Sequence, residues 1–150
     1  MKTVRSFIQK NAMSNLYTVG PGASILLVLK KMKKYNVGAL PVVGENNKLL
    51  GIFSERDFSR ACSNSRDLPD LMMPVSSIMT PVERVTTVSM ETGIDECSAR
   101  MDAKKVRHLP VVDKLNNVIA MISMRDLFRA MVKQHQEVLD NLAASMEITT

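Results

Sequence analysis

The tetrapeptide Leu40-Pro41-Val42-Val43 recurs as Leu109-Pro110-Val111-Val112, and the offset of 69 between them then holds without a gap. Residues 18–62 align on 87–131 with 15 identities in 45 positions, among them Thr18/Thr87, Val19/Val88, Ile25/Ile94, Met32/Met101, Val37/Val106, Ser54/Ser123, Arg56/Arg125 and Asp57/Asp126. Chance gives about three or four in chains of this composition. A chain of 150 residues that commits most of its length to two copies of one unit folds as a duplicated structure, and each later reading has to suit both copies.

Each unit opens on a short extended piece and passes into helical periodicity. Ile25, Val28, Leu29 and Met32 fall at i, i+3, i+4 and i+7, with Lys30, Lys33 and Lys34 on the other face. The second copy keeps Ile94, Cys97 and Met101, and Thr92 followed by Asp95 reads as a capping box. Two apolar stretches follow, Leu40–Val43 and Leu49–Phe53 around Gly44-Glu45-Asn46-Asn47, and again Leu109–Val112 and Val118–Ile122 around 113–117. These are hairpins, and Pro41 and Pro110, lacking an amide hydrogen, belong at a strand start or an edge. A helix capped near Ser54 and near Ser123 completes each unit.

The fold class is therefore α+β, two tandem β-α-β-β-α repeats packed sheet to sheet with pseudo-twofold symmetry. The first repeat covers 1–65, the polar stretch 66–74 is a linker, the second repeat covers 75–132, and 133–150 form a helical tail. Neither half is expected to be stable alone.

Composition sets limits on function. With 45% hydrophobic and 23% charged residues the chain is of ordinary globular type, and Ile25–Leu29 is far short of the roughly 20 apolar residues a transmembrane helix needs. The first residues lead straight into polar sequence, so export is not expected; the expected compartment is cytoplasmic, or organellar if a transit peptide was removed. Cys62 and Cys97 have no ligand-like neighbours and read as reduced core residues. The net charge of +5 suits an anionic partner without choosing one.

Three sets of residues carry a resemblance: Val75-Ser76-Ser77-Ile78-Met79-Thr80-Pro81 before the second unit, the Leu-Pro-Val-Val strand in both, and Gly51-Ile52-Phe53-Ser54-Glu55-Arg56-Asp57 echoed by Ala120-Met121-Ile122-Ser123-Met124-Arg125-Asp126. Each is weak alone, but their fixed order at a constant offset is specific. The chain resembles a pair of CBS domains, a Bateman module, from about Val4 to Met131. The resemblance implies a regulatory fold that takes up AMP, ADP, ATP, S-adenosylmethionine or a related adenosyl ligand in clefts between the repeats, and the pairing of two modules into a flat dimer.

It also implies where the ligand sits. Asp57 and Asp126, with Arg56 and Arg125 beside them, stand where ribose hydroxyls are held, and Ser54 and Ser123 lie at helix N-termini suited to a phosphate or ribose oxygen. Thr18, Thr87, Val19, Val88 and Ile52 would hold adenine. Arg107 and His108 would meet phosphate, while Gly38 and Ala39 in the first copy leave room for the base, so that one cleft dominates. The plain alternatives stay open: Ser-x-x-Asp as a helix cap, Arg107 as a solvated strand end, His108 as a packed histidine. The preamble of the first copy departs from the pattern, reading Phe7-Ile8-Gln9-Lys10 where Ile78-Met79-Thr80-Pro81 stands in the second, with two extra residues before Thr18.

Only His108 and His135 are available as histidines, with no Gly-rich phosphate loop and no paired ligand spacing, so the chain is not expected to be an enzyme and needs no obligatory cofactor. Lys30-Lys31, Lys33-Lys34, Arg5, Lys10, Lys104 and Lys105 raise a nucleic-acid reading, which 4% aromatic residues make unfavourable. A third reading is a structural or docking adaptor: Leu127, Met131, Val138 and Leu142 share one side of a helix running to about Ala143, placed either on its own domain or on a partner. As a ligand sensor the module would act in trans on an enzyme or transporter.

Overall fold

The computed structural model describes residues 2–11, 13, 15–64 and 66–147. The ends of the expected tail at 148–150, and Ser65 at the expected edge of the first repeat, lie outside the described residues. Helix α1 spans Val4–Lys10, α2 Ile25–Tyr35, α3 Glu55–Asn64, α4 Ile94–Lys104 and α5 Met124–Glu147. Strands β1 (Ala39–Val43) and β2 (Leu49–Ser54) form the first hairpin, β4 (His108–Val112) and β5 (Val118–Ser123) the second, and β3 is the dipeptide Thr80–Pro81.

The duplicated pattern produces duplicated local structure. In α2 the Ser24 hydroxyl accepts the Leu27 amide at 3.1 Å, Ile25, Val28 and Met32 are buried, and Asn36 ends the helix at a φ of 52°. Helix α4 buries Cys97 and Met101 and ends on Lys105 at a φ of 54°, the same left-handed stop 69 positions later. Its start differs from expectation. Gly93 stands at the N-cap with no side-chain cap, because the Thr92 hydroxyl accepts the Ser89 amide at 3.0 Å, so no Thr92–Asp95 capping box forms.

Both hairpins are antiparallel, with Leu40 opposite Phe53 and Leu109 opposite Ile122, and both slip register at the same place, between Val42 and Val43 and between Val111 and Val112. Strand β1 is at the edge of its sheet, which is where Pro41 loses nothing by lacking an amide hydrogen. The leading strand of each unit is only one residue long: Val19 bridges Val42 and Val88 bridges Val111, both in parallel.

The preambles are exchanged between the repeats. Helix α1, at the head of the first repeat, packs Val4 and Phe7 into the core of the second, with Val88, Cys97, Met101, Leu109, Val111 and Ile122. The segment ahead of the second repeat packs Val75, Ile78 and Met79 into the core of the first. The backbone bonds match pairwise: Val4 N–H to the Thr92 carbonyl at 2.8 Å and Val75 N–H to the Ala23 carbonyl at 2.7 Å, Ile94 N–H to Lys2 and Ile25 N–H to Met73, both at 2.9 Å.

The exchange explains a difference between the sheets. Strand β3 adds to β2, with Gly51 opposite Pro81 and Ile52 opposite Thr80, so the first sheet has three strands. A Cβ on Gly51 would lie 2.5 Å from the Thr80 carbonyl oxygen, and only glycine tolerates that approach. The second copy has Ala120 there, and its sheet has two strands because the matching Gln9-Lys10 continues α1 instead of extending. The two sheets meet where Leu49 N–H bonds the Asn116 carbonyl at 3.0 Å, over a small third core of Val43, Leu49 and Val118.

Helix α5 runs unbroken through the boundary drawn at 132/133 and four residues past Ala143. Cys97 is a core residue as expected, whereas Cys62 is half-buried on α3; both thiols are free.

Candidate functional site

Each hairpin delivers its last serine to the start of a helix. Ser54 ends β2 and Ser123 ends β5, and the first helical amides, Glu55 and Met124, bond back to the Gly38 and Arg107 carbonyls at 3.1 and 2.8 Å. Asp57 Oδ2 accepts both the amide and the hydroxyl of Ser54, at 2.8 and 2.9 Å, while the Ser54 hydroxyl accepts the Asp57 amide at 3.3 Å. Asp126 and Ser123 repeat this at 2.9, 2.7 and 3.1 Å. The Ser-x-x-Asp pairs are reciprocal helix caps, which also fixes the direction of each carboxylate.

The two carboxylates differ in what remains. Asp57 Oδ1 accepts the Thr80 hydroxyl at 2.9 Å, brought to it by the exchanged β3. Asp126 Oδ1 has no hydrogen-bond partner among the described residues, since no β3 equivalent reaches the second sheet.

Both pairs open on one cleft of about 1360 Å³. Of the residues singled out from sequence, Gly38, Ala39, Ile52, Ser54, Arg56, Asp57, Arg107, His108, Ser123, Arg125 and Asp126 line it. Thr18, Val19, Thr87 and Val88 are not among its lining residues. Val19 and Val88 are in the two cores, and the carbonyls of Thr18 and Thr87 accept Lys31 Nζ and an Arg100 guanidinium N–H, tying each leading bridge to its own helix. The room expected beside Gly38 is also taken: a Cβ there would meet the His108 ring at 3.3 Å. The basic dipeptide of the second repeat thus abuts the small dipeptide of the first, across the pseudo-twofold axis.

Sequence reasoning missed other parts of the wall. Tyr17 and Tyr35 stack with centroids 3.9 Å apart, and Thr80, Arg84 and Val85 come from the exchanged preamble. Thr80 stood inside the quoted preamble, but its partner Asp57 lies in the other repeat. The Arg56 guanidinium donates to the Lys105 carbonyl, a bond between repeats.

The lining is strongly basic: ten lysines and arginines against Glu55, Asp57 and Asp126. Arg56 and Arg60 come from α3, Arg84 from the segment after β3, and Lys104, Lys105, Arg107, Arg125 and Arg129 from the second repeat. Burial pushes His108 below the ordinary imidazole value and the Arg107 guanidinium lowers it further, against the opposing pull of Asp126 and Glu55. Among the described residues no group of three metal-ligating side chains converges, and no helix is long and apolar enough to cross a membrane.

The model of the CBS domain matches residues 4–64 and again 75–133. The chain belongs to the CBS-domain family, as a tandem pair. It is 36% identical to the CBS domain-containing protein CBSX3, mitochondrial, of Arabidopsis thaliana, over 79% of this chain and 58% of that protein, little more than half the relative's length. It is 30% identical to the CBS domain-containing protein YhcV of Bacillus subtilis, over 81% of this chain and 83% of the relative. The Bacillus subtilis inosine-5'-monophosphate dehydrogenase is 28% identical over 79% of this chain, but the match takes in only 23% of the enzyme. Among solved structures, the CBS domain protein NE2398 superposes with a TM-score of 0.76 at 35% identity, covering 87% of this chain and 98% of that one. CBSX2 in complex with AMP superposes with a TM-score of 0.74 at 25% identity, covering 89% and 98%.

Proposed function

We propose that this CBS pair is a regulatory sensor, not a catalyst, that binds a phosphate-bearing adenine nucleotide (AMP, ADP or ATP) in the cleft between its repeats and acts in trans on a separate enzyme or transporter. The observation that carries the reading is the cleft itself: two Ser-Asp caps with fixed carboxylates open on one space whose remaining charge is overwhelmingly cationic. CBSX2, a structural neighbour, was crystallised with AMP.

The charge also ranks the ligands. Phosphates gain from Arg107, Arg125 and their neighbours, whereas the sulfonium of S-adenosylmethionine meets like charge. The subsite around Asp126 is the working one, because its Oδ1 has no partner among the described residues in a cleft that Arg107 also lines, while Asp57 already holds Thr80.

Calorimetric titration with ATP, ADP, AMP and S-adenosylmethionine tests this. Affinity should rise with phosphate count and fall with added salt, with S-adenosylmethionine weakest. Equal binding of ATP and S-adenosylmethionine, or binding indifferent to salt, contradicts it.

A further inference from the structure

A second concave space lies beyond the Ser-Asp caps, between α1 and α5. It is a groove of about 210 Å³, floored by the Phe7 ring and the Ala130 methyl group. Both pack on the core of the second repeat, and Phe7 is only 5% exposed. Phe7 and Asn11 are four positions apart, as are Ala130 and Gln134, so about one turn of each helix faces the other across the groove. Alanine at position 130 leaves the space that a longer side chain would fill.

The walls are cationic. Lys2 and Lys10 come from the α1 side and Lys133 from α5. Lys2 Nζ donates to Gln134 Oε1 at 2.8 Å and Lys10 pairs with Glu137 at 3.5 Å, which ties both ammonium groups to α5. Lys133 has no partner among the described residues. Three ammonium groups against one carboxylate leave positive charge standing beside an apolar floor.

That pairing of surfaces suits a molecule with an anionic head and a small apolar body, since the floor rewards burial of the body and the lysines the charge. Size narrows it further. A cavity of roughly 150 Å³ accepts a benzene ring, so this one holds a body of about that size together with a carboxylate. Clefts for larger ligands run to roughly 300–1,000 Å³, and a whole nucleotide does not fit here.

We propose that the groove between α1 and α5 is a second binding site, for a small organic monocarboxylate whose body lies on Phe7 and Ala130 and whose carboxylate meets the three lysines. The site adjoins the nucleotide cleft, because Asn11, Ala130 and Lys133 line both, but Lys2, Phe7 and Lys10 belong to the groove alone. It stands whether or not the cleft takes a nucleotide.

Ligand-observed NMR with hexanoate on the full, nucleotide-free chain tests it, with acetate and hexylamine as controls. Hexanoate should bind at millimolar concentration and hexylamine should not bind. Acetate, which lacks the apolar body, should bind about fivefold more weakly or worse. Lys2→Gln with Lys10→Gln should weaken hexanoate about fivefold or more. Arg107→Gln with Arg125→Gln, which removes the same charge from the cleft alone, should leave hexanoate binding unchanged. All four side chains are exposed, so both double variants should fold. No hexanoate binding by the wild type, hexylamine or acetate binding as tightly as hexanoate, or a lysine variant that binds like the wild type overturns the proposal. In the last case, a loss from the arginine variant would place the carboxylate in the cleft.

Discussion

At the residue scale the site turns on Asp126 and His108. Asp126 is a cap and, in the proposed function, a ribose acceptor, and its two duties separate by experiment. Asp126→Ala should cost about 1 kcal/mol of stability through the lost cap. It should also weaken nucleotide binding about tenfold to a hundredfold through a lost charge-assisted bond, as read by calorimetry. Asp57→Ala should cost a similar stability and much less affinity, because Asp57 already holds Thr80. An affinity loss from Asp57→Ala as large as from Asp126→Ala would place the ligand in the other subsite.

His108 carries a pH dependence of known sign. Its folded value lies below the unfolded one of about 6.5, so the empty fold binds fewer protons than the unfolded chain. The corresponding stability is intact above that pH and is lost as pH falls through it. A bound phosphate reverses the local field and favours imidazolium, so nucleotide binding should take up a proton and tighten as pH falls from about 7.5 to about 6. Titration in buffers of different ionisation heat reads the proton directly, and His108→Gln should abolish the uptake. Identical heats across buffers in the wild type would contradict the placement of phosphate beside His108.

At the element scale the main event is the exchange of preambles, and it was only half legible in the sequence. The helices and hairpins were readable because their signals are local: the spacing of Ile25, Val28 and Met32, and the turns at Asn46-Asn47 and Asn116. The exchange is a matter of which core each preamble enters, and Phe7 and Ile78 look equally apolar whichever they choose. Two extra residues before Thr18 and the change from Gly51 to Ala120 were the visible traces. They acquire meaning only once β3 is seen against Gly51. Likewise Thr18, Val19, Thr87 and Val88 were sited by analogy of position, whereas packing puts Val19 and Val88 in the cores and the carbonyls of Thr18 and Thr87 accept from Lys31 and Arg100.

Two substitutions test the exchange through thermal unfolding. Phe7→Ala empties a site in the core of the opposite repeat and should cost about 3 kcal/mol. Gly51→Ala should cost about 1–3 kcal/mol by pushing β3 away, while Ala120→Gly, with no third strand to meet, should cost about 1 kcal/mol or less. Equal effects at the two positions would mean that β3 does not sit against β2.

At the scale of the whole molecule, exchange and cleft are one fact. Each core is completed by a segment from the other repeat, so the walls of the cleft are held together by the same contacts that stabilise the halves. A chain covering 1–65 alone should show little helix by circular dichroism and regain it when mixed with 66–150; an independently folded first half would refute the interlock.

The central claim is that a phosphate-bearing adenine nucleotide occupies this cleft, and the most direct test is the melting temperature of the wild type and Asp126→Ala with saturating ATP. Ligand at 100 times its dissociation constant stabilises by about 2.7 kcal/mol, a rise of about 5–10 °C for a domain of this size. The account predicts that rise in the wild type and, at the same ligand concentration, a rise cut to about half or less in Asp126→Ala. No rise with ATP, ADP or AMP in the wild type, or a rise that Asp126→Ala leaves intact, would contradict it.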